Sequence, residues 1–456
     1  MFETIRNAFK IKDVRNKILW TILFVVIYRL GCYITVPGLQ AITIEDGTTS
    51  IMGLLNSITG SALSQGTIFS LGISPYINSS IIVQLLTVAI PALERWSKEG
   101  EEGRAKIDKL TRWMTFGLAI VSAVGIYLTF KNNYNYVNTA WLGAQWSGFF
   151  ADGIGEWILG IYIVGMLVAG SMLCMWIGER ITEYGVSNGI SMIIFVGIIA
   201  TATQAFTNTI GGGNWIEAII FIVELILVFG FIVWVDGAER KIKVQYAKQV
   251  KGNKMYGGQS TFIPIKVNGS GVMPLIFSYA LLSFVPMLNQ TFWPESGFAN
   301  FWNNYMTAQT GNVVGTIVYN VVLAIFIFVF AYFYSQIQFN PMEISRNIQS
   351  NGGFITGIRP GRETAQFLTK VISRITFWGA LFLAIVAFIP SILFSILGWL
   401  GVGGIGLDSQ LVNSFSATGM MICVSVGLEF NKSLENQILM RHYKGLLGSG
   451  SKGFLR

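Results

Sequence analysis

The run Leu71-Gly72-Ile73-Ser74-Pro75-Tyr76-Ile77-Asn78-Ser79-Ser80-Ile81-Ile82-Val83-Gln84-Leu85-Leu86 sets the reading of the whole chain. It is long and apolar, it places a proline where a helix would begin, and it carries Asn78, Ser79, Ser80 and Gln84 among its aliphatic residues. Proline at the first helical position gives up only an N–H that would have no intrahelical partner anyway. A helix with lipid on every side has no use for four polar side chains. They act either as glue between neighbouring helices or as the lining of a pore, and the run alone leaves both open.

The same character continues outward. Of the 456 residues, 52% are apolar, only 12% are charged and 51 are glycine. A soluble domain carries roughly 25% charged residues, so this composition cannot supply a water-soluble surface. Apolar runs recur near 18–36, 74–91, 113–130, 156–177, 188–209, 216–235, 271–289, 312–336, 376–398 and 411–430. At about 1.5 Å per residue each crosses a hydrocarbon core about 30 Å thick. The expected fold class is an all-α polytopic membrane protein with ten transmembrane helices.

Lysine and arginine supply the orientation. Of 31 such residues, 29 fall in alternate segments between the runs, while Lys131 stands on the other side and Arg29 lies inside the first run. Basic segments stay cytoplasmic, so both ends of the chain are expected in the cytoplasm. One run more or fewer would put heavily charged loops on both sides. The net charge of +8 therefore reads as orientation rather than as nucleic-acid binding. The first run follows the polar, basic stretch Met1 to Lys17 and continues to Val36 without a small-residue cleavage site, the pattern of a retained span and not of a signal peptide.

Two cytoplasmic connections, 236–270 and 337–375, are long for a bundle whose other links are short, and long ordered loops tend to carry function. On the outer side, 36–73 is uncharged apart from Glu45 and Asp46. Within it Ala62 to Gly72 is apolar but too short to span, a segment able to fold back into the bundle from outside. Five runs lie on each side of residue 209, which divides the chain into halves 1–209 and 210–456 and is compatible with an inverted repeat.

Chemistry-bearing residues are scarce inside the runs. The single histidine, His442, sits in the C-terminal tail, so there is no HExxH motif and no histidine-dependent hydrolase dyad. Cys32, Cys174 and Cys423 are far apart in apolar surroundings, where cysteine behaves as a small hydrophobe; neither a disulfide nor a metal site is expected. Gly211-Gly212-Gly213 is a turn between two runs. No enzyme and no cofactor is expected. An ionisable side chain inside a span costs about 2.5–3.5 kcal/mol on insertion scales and persists only for a reason. Glu224 reads either as a proton or cation site or as an interior group satisfied by a neighbour. Arg29 reads as its partner, as a gate, or as a side chain that reaches for the interface. Two classes follow: a channel, or a secondary transporter of a small solute centred on Glu224.

The run at 71–86 closely resembles a signature of the SecY family of protein-translocation channels, and further segments resemble that family in the same order. These are Lys98-Glu99-Gly100-Glu101-Glu102-Gly103-Arg104, Trp176-Ile177-Gly178-Glu179-Arg180-Ile181-Thr182-Glu183 continuing to Ser187-Asn188-Gly189-Ile190-Ser191, Val244-Gln245-Tyr246-Ala247-Lys248, and Tyr256-Gly257-Gly258-Gln259-Ser260-Thr261 with Pro264-Ile265-Lys266-Val267-Asn268. Phe339-Asn340-Pro341, Gly352-Gly353-Phe354, Gly357-Ile358-Arg359-Pro360-Gly361 and Met440-Arg441-His442-Tyr443 complete the series. The resemblance runs from about residue 10 to 447. Ser414-Phe415-Ser416-Ala417-Thr418-Gly419 departs from the Gly-Gly-Thr-Ser stretch that the family often shows there.

The resemblance implies an hourglass channel in two inverted-repeat halves, closed at its waist by a ring of apolar side chains and on its outer side by a short plug helix. A narrow apolar constriction excludes water and ions by dewetting yet fits loosely around any extended peptide. Through the matching motifs the ring would be Ile77, Ile81, Ile190, Ile194, Ile276 and Ile422. The i, i+4 spacing puts Ile77 with Ile81, and Ile190 with Ile194, on one helix face each; without the resemblance such residues read as core or lipid-facing. The plug would be Ala62 to Gly72, including Leu63, Ile68, Phe69 and Leu71. The second and third spans would part from the seventh and eighth as a lateral gate that releases apolar segments into membrane lipid. The long cytoplasmic loops, with Arg240, Lys241, Lys243, Lys248, Lys251, Lys254, Arg359 and Arg362, would dock the ribosome or the SecA motor ATPase, although the scattered lysines also suffice to enforce topology. The implied setting is a bacterial inner membrane, with SecE and SecG as membrane partners and unfolded, signal-bearing polypeptides as substrates.

Overall fold

The structure is a computed structural model that describes residues 6, 8–40, 56, 59–134, 154–212, 215–246, 248–251, 254–257, 260–271, 273–292, 296–305, 313–399 and 417–450. In lipid, every backbone N–H and C=O has to be satisfied within its own segment, and long helices achieve this. Among the described residues, ten long helices follow the ten apolar runs in order. They are α1 (Lys12–Gly31), α2 (Ser74–Ala89), α4 (Glu101–Tyr134), α5 (Ile154–Tyr184), α6 (Gly189–Gly211), α7 (Trp215–Asp236), α8 (Met273–Phe292), α10 (Val313–Gln338), α12 (Arg362–Trp399) and α13 (Ala417–Gly450). Short helices α3 (Pro91–Lys98), α9 (Gly297–Tyr305) and α11 (Pro341–Ser350) lie between them. Among the described residues, α4, α5, α6, α7, α10 and α12 each hold a stretch long and apolar enough to cross a membrane, and α2 with α3, bent by 102° at their break, reach that length and apolarity only as a pair. The bend falls at Ile90, whose extended backbone precedes Pro91, as expected of a residue before proline.

Outward faces show which solvent these helices meet. On α10, Ile317, Val321, Ile325 and Val329 are each more than half exposed, while Leu323 and Ile327 are almost fully buried. An exposed aliphatic stripe at every fourth position beside a buried one is a helix with lipid on one side and protein on the other. Helix α1 packs on α5 and α6, α2 on α4, and α4 on α5; α8 packs on α10, α10 on α12, and α12 on α13. The bundle closes where α8 meets α4 and α2, and where α13 meets α6 and α7.

Helix ends differ from the apolar runs. α4 begins at Glu101, α12 at Arg362, and α13 continues to Gly450, because polar residues extend a helix into water without registering as apolar. Two motifs are caps. The Asn188 side chain accepts from the backbone N–H of Ile190 and Ser191, and the Asn340 side chain from that of Glu343, with Pro341 at the first helical position. Such N-caps fix where α6 and α11 start.

The helical bundle carries one addition in its two long connections. The 236–270 connection contains β1 (Glu239–Tyr246), β2 (Lys248–Lys251), β3 (Lys254–Gly257) and β4 (Ser260–Lys266), and the 337–375 connection contributes β5 (Gly353–Ile355). Strands β2 and β3 form a hairpin, while β4, β1 and β5 form one antiparallel sheet in that order. β1 pairs with β4 from Glu239↔Lys266 to Gln245↔Ser260 and with β5 from Val244↔Ile355 to Tyr246↔Gly353. Ile242 and Val244 point inward at strand period, into a core with Ile265, Ile348, Ile355, Leu368 and Ile372. The alternation spans too few residues to stand out in so apolar a chain. Pro264, which has no N–H to give, sits on the edge strand β4, where proline is tolerated.

Candidate functional site

The six isoleucines expected at the waist come from α2, α6, α8 and α13 and meet in two touching apolar clusters. Ile194 and Ile422 are buried in the main cluster, with Ile77, Ile190 and Ile276 packed against it. Ile81 is buried with Phe277 and Phe330 in a second cluster, against which Ile77 and Ile276 also pack. Ile77 and Ile276 therefore join the two. This second cluster is the seam between α2, α8 and α10. Across α8 and α10, the Phe277 ring meets Phe330 and Tyr334 edge-on, with centroids 5.9 and 6.0 Å apart.

Segment 62–72 is seated in the same core. Ala62, Leu63, Phe69 and Leu71 are at most 3% exposed, and Ile68 packs against both the main cluster and a neighbouring one that holds Leu63, Leu71 and Val36. The short helix that the resemblance implies for 62–72 is absent; the segment is a succession of turns. Its own side chains wind it up: Thr67 Oγ1 and Ser70 Oγ both donate to the Ala62 carbonyl, at 3.2 and 3.1 Å. A bridge between Thr35 and Thr67 ties it to the chain leaving α1. On α5, Ser171 Oγ donates to the Gly72 carbonyl at 3.2 Å, and a Cβ on Gly170 would stand 1.9 Å from the Ile68 carbonyl oxygen. A Cβ on Gly31 would stand 2.1 Å from the Phe69 ring, which stacks on Tyr28 at 5.6 Å. These clamps were not found from sequence; small residues inside apolar runs were their only trace.

The three cysteines are buried and free. Glu224 lies within α7, and its side chain is outside the described residues. Arg29 contacts the Gly60 carbonyl, at 3.5 Å, and the Tyr33 ring, at 5.8 Å.

The basic residues expected to dock partners gather on the sheet side. Arg240, Lys241 and Lys243 are exposed on β1, with Lys241 also 3.2 Å from Glu239. Lys248, Lys251 and Lys254 belong to the β2–β3 hairpin, and their side chains are outside the described residues. Arg359 is exposed on a turn with Gly357 at φ 84° and Gly361 at φ 95°, values that favour glycine. The turn is anchored from both sides: Thr364 Oγ1 donates to the Arg359 carbonyl and Ser345 Oγ to the Gly361 carbonyl, at 2.8 and 2.6 Å. Arg362 opens α12 and is exposed. At the foot of α7, Asn268 and Lys432 reach Asp236 at 3.4 and 3.7 Å. Lys266 is held below the usual lysine range, first by a hydrogen bond with Lys432 and then by burial. The exposed Glu94 carboxyl is held low by its bond to Lys98.

Lipid-facing helices around an apolar core, with a turn-rich segment packed into it, define a multi-pass helical membrane protein. The family model described as SecY matches residues 67–431. The protein translocase subunit SecY of Streptomyces coelicolor is 39% identical over 98% of this chain and 100% of its own length. The chain belongs to the SecY family.

Two solved structures share the fold. One is of SecY and is described as showing that its plug domain stabilizes the closed state of the translocation channel and maintains a membrane seal; it has a TM-score of 0.61 and 20% identity, over 92% of each chain. The other is Sec61 in the canine ribosome–channel complex from the endoplasmic reticulum, with a TM-score of 0.60 and 20% identity, again over 92% of each chain.

Proposed function

We propose that this chain is the channel subunit of a protein translocase: it passes unfolded, signal-bearing polypeptides across a bacterial inner membrane and releases apolar segments sideways into lipid. The observation that carries this is the shared core of waist and plug. Ile194 and Ile422, with Ile77, Ile190 and Ile276 against them, lie in one apolar cluster with Ala62 and Phe69. A closure made of aliphatic side chains dewets when empty and yields around any extended chain, so transport needs no residue that reads the substrate. The waist is the ring Ile77, Ile81, Ile190, Ile194, Ile276 and Ile422; the segment 62–72 is the plug.

The seam of α2 and α4 against α8 and α10 is the lateral gate. At about 25 cal/mol per Å² of apolar surface, a segment of about 20 apolar residues gains enough in lipid to leave an aqueous pore. Both ends of the chain are cytoplasmic, and its halves are 1–209 and 210–456. The basic face of the sheet, with Arg359 and Arg362 beside it, docks the ribosome or the SecA motor; phosphate contacts would reward such a surface on ribosomal RNA. SecE and SecG are its membrane partners. The channel is passive, without catalytic residues or a cofactor, and its driving energy comes from the docked partner.

Reconstitution with SecE and SecG into vesicles, supplied with SecA and ATP, tests this. Protection of an unfolded precursor from protease, dependent on ATP and on the signal, is the expected result. An assembled, SecA-bound complex that protects no precursor would overturn the reading, and saturable solute uptake lost in Glu224→Gln would establish a transporter instead.

A further inference from the structure

We infer that Arg29 is the pin of the plug: it caps the helical end that leads into the segment 62–72 and so sets how readily the channel opens. The inference rests on the plug reading above and adds to it a residue of the first span.

Asn56 and Thr59 are helical, and the Ser61 N–H returns to the Asn56 carbonyl at 2.9 Å. Gly60 has φ +70°. A left-handed glycine followed by a bond that skips back five residues is how a helix commonly ends. The Thr59 and Gly60 carbonyls at such an end have no partner within it.

Two side chains of α1 and Cys32, the residue just past its end, converge on them. Tyr28 Oη and Cys32 Sγ donate to the Thr59 carbonyl, at 3.5 and 4.0 Å, and Arg29 Nη1 to the Gly60 carbonyl, at 3.5 Å. The seat is closed from the far side by α6: a Cβ on Gly60 would stand 2.5 Å from Arg29 Nη1 and 3.2 Å from the Gly197 Cα. Tyr28 is 1% exposed, so little water reaches these carbonyls to replace the donors.

The charge itself points the same way. On the proposed orientation Arg29 lies at the outer end of α1, where a basic residue runs against the usual distribution. Lys131, the other basic residue away from the cytoplasmic segments, is paired with Glu156. Arg29 meets the Gly60 carbonyl and the Tyr33 ring, so its role is to complement the turn that leads into the plug. When the plug leaves, that turn leaves its cation, and the cost of parting them adds to the closed state.

The test uses the whole translocase in planar bilayers and in vesicles, with resting ion conductance and export of a signal-defective precursor as readouts. Hydrogen bonds to charged groups contribute at a level that changes an equilibrium about tenfold. Arg29→Gln is therefore expected to raise resting conductance about tenfold and to admit the signal-defective precursor, with export of the intact precursor preserved. Arg29→Lys keeps the charge and restores most of the seal. Gly60→Ala, which forces a methyl between Arg29 and Gly197, gives the same leak with Arg29 in place. With residues 62–72 deleted the channel leaks, and adding Arg29→Gln changes nothing more.

Conductance and signal discrimination unchanged in Arg29→Gln, with the deletion leaking, would overturn the inference alone; so would a leak that Arg29→Gln adds to the deletion. Should Arg29→Gln fail to assemble, an unchanged seal in Gly60→Ala would overturn it. A deletion that does not leak would remove the plug reading, and the pin with it.

Discussion

The two sides of this bundle are joined by different physics. On the α1–α5–α6 side, helices approach closely through glycine: a Cβ on Gly189 would stand 2.0 Å from the Gly178 carbonyl, and one on Gly185 would stand 2.6 Å from Thr21 Oγ1. Hydrogen bonds cross the same side, from the Gly189 N–H to Thr182 Oγ1 at 2.9 Å and from Ser171 to Gly72. The α2–α8–α10 seam instead meets through Ile81, Phe277, Phe330 and their aliphatic neighbours. In water such a seam would be the stronger of the two. In a bilayer, lipid tails are as apolar as the side chains, and close packing and polar bonds hold helices together while aliphatic contact alone does little. The glycine side therefore has the tighter joint, and the aromatic side is the one that the proposed gate would part.

The largest effect is expected on the glycine side. Gly170→Leu has no room beside the Ile68 carbonyl and should cost at least about 2 kcal/mol, seen as loss of folded complex in detergent melts; full stability there would erase the contrast between the two sides. Next comes the proposed docking turn. Arg359→Glu should block motor-driven export while membrane insertion of apolar segments continues, whereas normal export would reduce Arg359 to a topology signal.

If the proposed ring seals by dewetting, Ile81→Asn and Ile194→Asn, which each set a polar amide in it, should raise resting ion leak; unchanged conductance in both would remove them from the ring. Phe277→Ala removes two edge-on aromatic pairs, each contributing about 0.5–1.5 kcal/mol. It should let less hydrophobic segments enter lipid, read as a lower threshold in an insertion series; an unmoved threshold would mean that the seam is not the gate.

The smallest effect concerns the polar joint at the foot of α7. The Lys266 pKa is lowered in the folded chain, so the unfolded chain binds more protons and stability rises with pH through that window. Lys266→Met should therefore stabilise slightly at neutral pH, and the gain should fade as pH climbs through the lowered value toward the ordinary lysine range. A gain independent of pH would show that packing, not charge, is responsible.

What the sequence reveals follows the same division. Spans announce themselves because each needs a long apolar run, and Asn188 and Asn340 stand where caps are needed. The approach of Gly170 to Ile68, or of Gly31 to Phe69, depends on partners far apart in the chain, so a glycine within an apolar run carries no mark of what it touches. The proposed waist residues rest on the family's motifs alone; isoleucine at helical spacing is the commonest pattern in any membrane span. The sheet escaped notice because β5 is three residues long and pairs with a strand from another loop. The helical ends of α4 and α12 lay hidden in polar sequence for the opposite reason.

That sheet has a mechanical consequence. β1 follows α7, β4 leads through 267–271 into α8, and β5 is joined to α10 through α11 and to α12 through the Arg359 turn. Four membrane helices thus stand on one hydrogen-bonded plate, two of them flanking the aromatic seam. A torque applied at the Arg359 turn would therefore bear on the plate as a whole, and through it on the feet of α8 and α10, like a hand on the axle that two blades share.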